Sequence, residues 1–421
     1  MTTDHARSPA PPGTAGPTGR IPGPDLARGI MLLLIVLANT PYYLYGRPHG
    51  GMGAHPVDGS VADRIVQAVL ITTVDLRVYP MFAFLFGYGL VMILRRQRRA
   101  GLSDDEARRL LRRRNLLLVA FGAMHALLLW GGDVLGAYGL CGLVLVWLFL
   151  RRSDRTLLVW AGVGTGLLAL LAALSALEGL AVLAGEQPPN DLGSVVTVLA
   201  RASVSDPDVL GAALARMTMW PLQVLVIQGP VGMVVPVSIL LGFWAARRGV
   251  LERPQEHRRL LWITAVGGIS IGWLGGLPLA LNHIGVLDAL SPAMSSFAMP
   301  QMLTGLACGL GYVAVFGLVG GRFADRPPGP LGGALTAVGK RSLSCYLAQS
   351  VLCAPLLAAW GLGLGGSLGS AATAAFAIGV WLLTVLWAVA LERRGAPGPA
   401  EALLRRLAYG PPAPAPAPAT T

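Results

Sequence analysis

The sequence predicts an all-α fold, a polytopic membrane protein of about ten transmembrane helices with both termini cytoplasmic. Three observations lead there. Hydrophobic residues make up 54% of the 421 and charged residues only 13%, a balance that soluble domains of this length rarely reach. Ten apolar segments approach the roughly 20 residues that a spanning helix needs. The basic residues, finally, collect on alternate connections, as a bilayer imposes.

The segments fall near 25–45, 63–94, 115–131, 134–150, 156–184, 218–246, 260–280, 298–320, 336–360 and 369–391. The second is too long for one straight span, and Pro80 is expected to break it, leaving an interfacial piece before the membrane helix proper. With the N-terminus inside, the cytoplasmic connections are 95–114, 151–155, 247–259 and 321–335, and they carry nine, three, five and two basic residues. The external connections at 46–62, 185–217, 281–297 and 361–368 carry only Arg47, Arg201 and Arg216 between them. No soluble domain fits between spans. Residues 25–406 therefore read as a single transmembrane domain, flanked by a Pro/Gly/Ser/Thr-rich tail at 1–24 and a Pro/Ala-rich tail at 407–421 that read as disordered and cytoplasmic. The first tail lacks the apolar core of a cleavable signal peptide.

The net charge of +12 does not indicate nucleic acid, because the basic residues lie between apolar runs rather than on a soluble face with stacking aromatics. They orient the chain in the bilayer, among membrane lipids. Cys141, Cys308, Cys345 and Cys353 all fall inside predicted spans, with no Cys-Xaa-Xaa-Cys pair or Cys/His cluster, so neither a disulfide framework nor a metal site is indicated.

Polar residues inside apolar segments are costly, and they mark candidate sites. His125 lies eleven residues beyond Arg114, about 16 Å along a helix, past the bilayer midplane toward the outside. Asp133 follows eight residues later, at the external turn. A carboxylate beside an imidazole fixes its tautomer and stabilises its protonated form, which makes the pair a candidate general base. The structural alternative is a core histidine bonded to a neighbouring carbonyl, with Asp133 capping the next helix. Asp75 and Arg77 sit just before Tyr79-Pro80, and Asn39 precedes Thr40-Pro41 at similar depth; these suit an acceptor site, or headgroup snorkelling and helix pairing.

On the inner side, Arg28 opens the first span and Gly339-Lys340-Arg341-Ser342 opens the ninth; Lys340 is the only lysine. Basic side chains with free amides at a helix N-terminus can hold phosphates, although positive-inside anchoring is the favoured reading of these residues taken alone. No Walker A loop or dinucleotide fingerprint is present. His257 and His283 read as solvated loop residues. His49 and His55 read likewise, except that an external loop folded back over the bundle would bring them near Asp75 and Asp133, as an alternative base.

Arg28-Gly29 with Asn39, the run from Arg77 to Gly89, Arg112-Arg113-Arg114 through His125 to Gly132-Asp133-Val134-Leu135 and Tyr138, Gly339 through Tyr346 to Gln349-Ser350, and Gly398-Pro399-Ala400-Glu401 with Leu404-Arg405 resemble the bacterial DUF418 (YeiB-like) membrane proteins. Ala83 stands where that family usually has serine, Lys340 where arginine is common and Cys345 where asparagine is common. The family in turn resembles the larger group of transmembrane acyltransferases, the acyltransferase-3 and heparan glucosaminide acetyltransferase types. That resemblance implies a bacterial cytoplasmic membrane protein in which a cytoplasmic acyl-CoA, acetyl-CoA above all, donates to a hydroxyl or amine of a small-molecule, glycan or lipid acceptor. On this expectation His125 and Asp133 are catalytic. Arg28, Lys340, Arg341 and Ser342 hold the donor, and Asn39, Asp75, Arg77, Tyr138, Tyr346 and Gln349 line the acceptor site. A transporter or flippase is the alternative, served equally by a broken second helix and intramembrane charges. A non-catalytic membrane partner is the third reading, and a homodimer is compatible with any of them.

Overall fold

The computed structural model describes residues 22–50, 54–186, 188, 200–322 and 329–409. Residues 1–21 and 410–421, the bulk of the two tails, lie outside them. Helix α1 (Pro22–Asn39) begins on a proline in its first turn, where the missing N–H costs nothing, and passes into a tight turn over Thr40–Tyr43. Helices α2 (Val61–Thr73) and α4 (Asp104–Leu128) both start on a capping box. Ser60 and Ser103 accept from the amides of Asp63 and Glu106, whose carboxylates accept in return. Between them runs α3 (Val78–Arg99). Then follow α5 (Leu135–Phe149), α6 (Asp154–Leu183), α7 (Val209–Leu222), α8 (Val234–Arg248), α9 (Arg258–His283), α10 (Ala298–Arg322), α11 (Pro330–Lys340), α12 (Ser342–Leu357), α13 (Ser370–Arg393) and a short C-terminal α14 (Pro399–Tyr409).

Seven helical stretches, Gly23–Tyr43, Val61–Arg99, Asp154–Leu183, Val209–Ile227, Arg258–His283, Asp288–Arg322 and Ser370–Arg393, are long and apolar enough to cross a membrane. The chain is thus all-α and multi-pass. α6, α9 and α13 leave leucine, valine and tryptophan side chains exposed along their length, as Leu170, Leu174, Trp262, Leu274 and Leu386 show, the face a helix presents to lipid.

Two spans predicted to be continuous are broken. The sixth was expected as one helix over 218–246. Instead α7 ends in a π-helical turn, Gln223–Ile227, the chain irregular through Gly229-Pro230 and Gly232, and α8 restarts after Met233, whose φ of 59° lies in the left-handed region. The ninth divides at Arg341 into α11 and α12. The second span breaks as expected, but upstream of Pro80. The interruption is at residues 74–77, where Leu76 has φ 59°, and Pro80 sits in the first turn of α3, which tolerates it.

α3 is the centre of the molecule: Met81, Ala83, Leu85 and Leu90 are fully buried. It lies so close to α8 that a Cβ on Gly87 would stand 2.5 Å from the Ile239 carbonyl oxygen, and one on Gly242 2.3 Å from that of Phe84. α1 meets α11 as closely, with Gly339 against the Asp25 carbonyl. These glycines allow backbones to approach where side chains would hold them apart.

Candidate functional site

Two cavities lie end to end along α3. The first, of about 250 Å³, surrounds the N-terminal turns of α3 and contains His55, Asp75 and His283. The second, of about 970 Å³, follows the C-terminal half of α3 and gathers Arg28, Arg95, Arg96, Arg99, Arg114 and Lys340. Phe82 and Tyr138 line both. Their rings stand 5.2 Å apart, and the Tyr138 hydroxyl donates to the Tyr79 carbonyl at 2.7 Å, so two aromatic side chains form the partition.

The histidine cavity is assembled by the loop after α1. His49 bridges to Pro56, Val57 N donates to Pro48 O at 3.0 Å, and the Pro56 carbonyl accepts from Gln67 Nε2 at 2.9 Å and His283 Nε2 at 3.0 Å. The folded loop carries His55 into the bundle, where its Nε2 meets Asp75 Oδ2 at 2.7 Å. Asp75 occupies the break between α2 and α3, beside the strained Leu76. With the carboxylate accepting, Nε2 carries the proton, and Nδ1 is left as a basic nitrogen without a partner among the described residues. Burial pushes the pKa of His49 down, opposed by a hydrogen bond with the Arg47 carbonyl, which suits a neutral clamp of the loop.

His283 was read as a solvated loop residue. It is buried at the end of α9, its ring centroid 5.9 Å from that of His55. No sequence signal set it apart, since only the folded loop brings the two together. Asn39 lines this cavity. Arg77 does not: its guanidinium donates to the carbonyls of Asp75 and Gly272 and is wholly buried against α9, so it ties helices together and makes no ion pair with Asp75.

His125 Nδ1 and Asp133 Oδ1 are hydrogen-bonded at 2.8 Å, the contact that the eight-residue spacing allowed. Asp133 is not the turn residue expected at the surface. It is fully buried, its second oxygen accepting the Gly136 amide at 2.7 Å near the start of α5. Neither member of the pair lines either cavity. His125 approaches the basic cavity only through Tyr346, whose ring lies 5.2 Å from its own and which does line it.

In the basic cavity the expected donor-binding residues divide. Arg28 is partly engaged by Asp25 at 3.2 Å and the Leu85 carbonyl at 3.3 Å, and Lys340 by Glu392 at 2.6 Å. Ser342 lines the cavity, whereas Arg341 does not; its guanidinium is spent on Glu392 and on the carbonyls of Ala337 and Ala396 at the α11–α12 junction. The free amides expected at the start of α12 are taken. Glu401 of α14 accepts from Leu343 N at 2.8 Å, Ser344 N at 3.2 Å and the Ser344 hydroxyl. Arg96, Arg99 and Arg114 have neither ion pair nor hydrogen bond among the described residues. In the sequence they belong to a basic run that membrane orientation explains fully, so nothing marked them out. Gln349 contacts a third, very small cavity and donates to the Leu32 carbonyl at 3.2 Å, tying α12 to α1.

Residues 245–411 match the family described as "Protein of unknown function (DUF418)". The chain is 26% identical over 401 residues to YxaH of Bacillus subtilis (strain 168), covering 91% of this chain and 93% of that protein. It is likewise 26% identical to YeiB of Escherichia coli (strain K12), covering 91% and 94% of the two chains. Both relatives are described as uncharacterized proteins. A shorter match, 32% identical over 122 residues, covers 29% of this chain and 32% of a 39.9 kDa protein from the amylase 3′ region of Bacillus acidopullulyticus.

Proposed function

We propose that this chain, a DUF418-family, YeiB-like membrane protein, is an acyl-CoA-dependent acyltransferase of the bacterial cytoplasmic membrane. Residues 25–406 form its single domain, crossing the bilayer ten times with both termini inside. The crossing count includes α4, α5, the broken α7–α8 pair and α11–α12 as single passes, and it is supported by the basic connections 95–114, 151–155 and 247–259, which hydrogen bonds of Arg95 to Arg247, Arg151 to Asp105 and Arg247 to Arg152 bring together.

The observation that carries the reading is the pair of cavities separated by Phe82 and Tyr138, basic on one side and holding an imidazole–carboxylate pair on the other. Three unpaired guanidiniums suit the phosphates of coenzyme A, since charge-assisted bonds to phosphate are stronger than neutral ones. In the reaction, His55 Nδ1 takes the proton of an acceptor hydroxyl or amine as its lone pair attacks the thioester carbonyl. The new acyl bond forms, the carbon–sulfur bond breaks, and the departing thiolate recovers the proton from the imidazolium, which Asp75 stabilises meanwhile. For donor and acceptor to meet, the Phe82–Tyr138 partition must part. His125 and Asp133 are assigned a positioning role, holding α4 to α5 behind Tyr346.

The test is purified protein in lipid nanodiscs with radiolabelled acetyl-CoA and a series of longer acyl-CoAs. Donor binding that falls in Arg96→Ala and Arg114→Ala, with slow thioester hydrolysis that falls in His55→Ala, is the outcome required. Binding of no acyl-CoA sinks the proposal. The broken helices at 74–77 and 223–233 favour a second reading, a transporter gated at the same partition. Substrate movement in proteoliposomes without covalent change would establish it instead.

A further inference from the structure

The wall of the histidine cavity contains polar groups that the fold itself does not use. Gln301 is 1% exposed, and its Oε1 has no partner among the described residues; the same holds for Gln228 Oε1, Tyr79 Oη and Trp130 Nε1. Buried polar atoms without partners cost free energy, so several around one cavity require either water or a ligand to satisfy them. Among the described residues, no arginine, lysine or glutamate lines the cavity. Arg77 and Arg216, two buried arginines at this end, do not line the cavity and donate to backbone carbonyls, Arg77 to that of Gly272 and Arg216 to those of Ala126, Leu127 and Ser203. Asp75 is bound to His55.

Shape narrows the ligand further. Tyr42 and Trp130, their rings 5.9 Å apart, supply apolar faces next to the polar groups. The volume of about 250 Å³ is slightly below the usual range for a ligand site and suits a small molecule better than an acyl-chain lipid. His283 also borders a more open recess of about 350 Å³ flanked by Arg64, Asn282, Asp288 and Ser291, so the space on the far side of this side chain is hydrophilic.

We propose that the histidine cavity binds an uncharged, hydroxyl- or amide-rich molecule about the size of one sugar ring, recognised through Gln301, Gln228 and Tyr79 and reached from water past His283. Its part as acyl acceptor rests on the reading above; its binding does not.

Equilibrium dialysis of nanodisc-held protein against tritiated glucose, N-acetylglucosamine and glycerol, with acetate and dodecanol as charged and lipid-like controls, tests it. At least one neutral probe should bind the wild type in preference to both controls. Gln301→Leu should weaken that binding about tenfold, the factor for one lost hydrogen bond. Gln228→Leu, at a half-buried position less critical for folding, should weaken it as well, with coenzyme A binding at the other cavity unchanged in both variants. Binding of no neutral probe, preference for dodecanol or acetate, or indifference to both substitutions overturns the proposal. Neutral-probe binding that depends on Gln301, in a protein that neither binds nor cleaves acyl-CoA, upholds it and sinks only the acyl-transfer reading.

Discussion

Two imidazole–carboxylate pairs occur among the described residues, His125–Asp133 fully buried and His55–Asp75 with a partly exposed carboxylate, and they should respond in opposite ways to the loss of the histidine. His55 and His125 each keep one ring nitrogen without a partner among the described residues, but only His55 lines a cavity, so His55→Ala removes a base that an acceptor can reach. General-base contributions run about 10²- to 10⁴-fold, or about 3 to 5 kcal/mol of barrier. Turnover should fall by that factor while the melting temperature changes little, because the loop remains clamped by Gln67 and His283 on the Pro56 carbonyl. Asp75→Asn should lose nearly as much. Its amide can turn an N–H toward Nε2, favouring the tautomer with Nδ1 protonated, which cannot accept a proton.

His125→Ala predicts the reverse. Asp133 is fully buried, and without the imidazole only the Gly136 amide answers it. Breaking a buried pair by deleting one partner costs about 3 to 5 kcal/mol, so the protein should melt markedly earlier, with the folded fraction keeping turnover within about tenfold. Thermal denaturation and acyl-CoA turnover on the same nanodisc preparations separate the two effects. A stable His125→Ala protein with a hundredfold loss of turnover, beside an active His55→Ala protein, would refute the assignment and return the chemistry to His125.

The other side chains make smaller, independent predictions. Arg96→Ala and Arg114→Ala should each raise the Kd for coenzyme A about tenfold at low salt, with less effect at high salt, because unpaired guanidiniums act on phosphate through screened charge. Glu401→Gln should do the opposite, tightening anion binding as a negative charge leaves the basic cavity, while lowering stability by about 1 to 2 kcal/mol through a weakened cap on α12; calorimetry reads both. Gly339→Ala should destabilise the α1–α11 contact by about 1 to 3 kcal/mol or more, since its Cβ would fall 1.8 Å from the Asp25 carbonyl oxygen. For topology, a cysteine replacing Asp58 should react with an impermeant maleimide on intact cells, and one replacing Glu256 only after permeabilisation, because the four native thiols are buried.

What the sequence made legible follows from how far each signal reaches along the chain. Apolar length and basic connections are local, and they gave the helical architecture. Spacing within one helix and its following turn is also local, and eight residues placed His125 and Asp133 in neighbouring sectors, although the direct bond between them was not implied by it. The sixth span looked continuous because its residues stay apolar across the break. Gly229-Pro230 and Gly232 were the available warning, and hydropathy averages over them. The division between two cavities was beyond reach, because it depends on contacts between segments far apart in the chain: Tyr138 with Tyr79, Arg341 with Ala396, Glu401 with Ser344. The same distance explains the shift in the candidate base. His125 stood out for being ionisable inside an apolar run, which is the mark of any costly buried group, structural or reactive. His55 sat in a glycine-rich loop, where a histidine costs nothing, and acquires its chemistry only when the loop is folded against Asp75. A carboxylate partner is therefore insufficient to tell the two histidines apart. The distinguishing property is access: His55 borders a space that an acceptor can occupy, and His125 borders Tyr346.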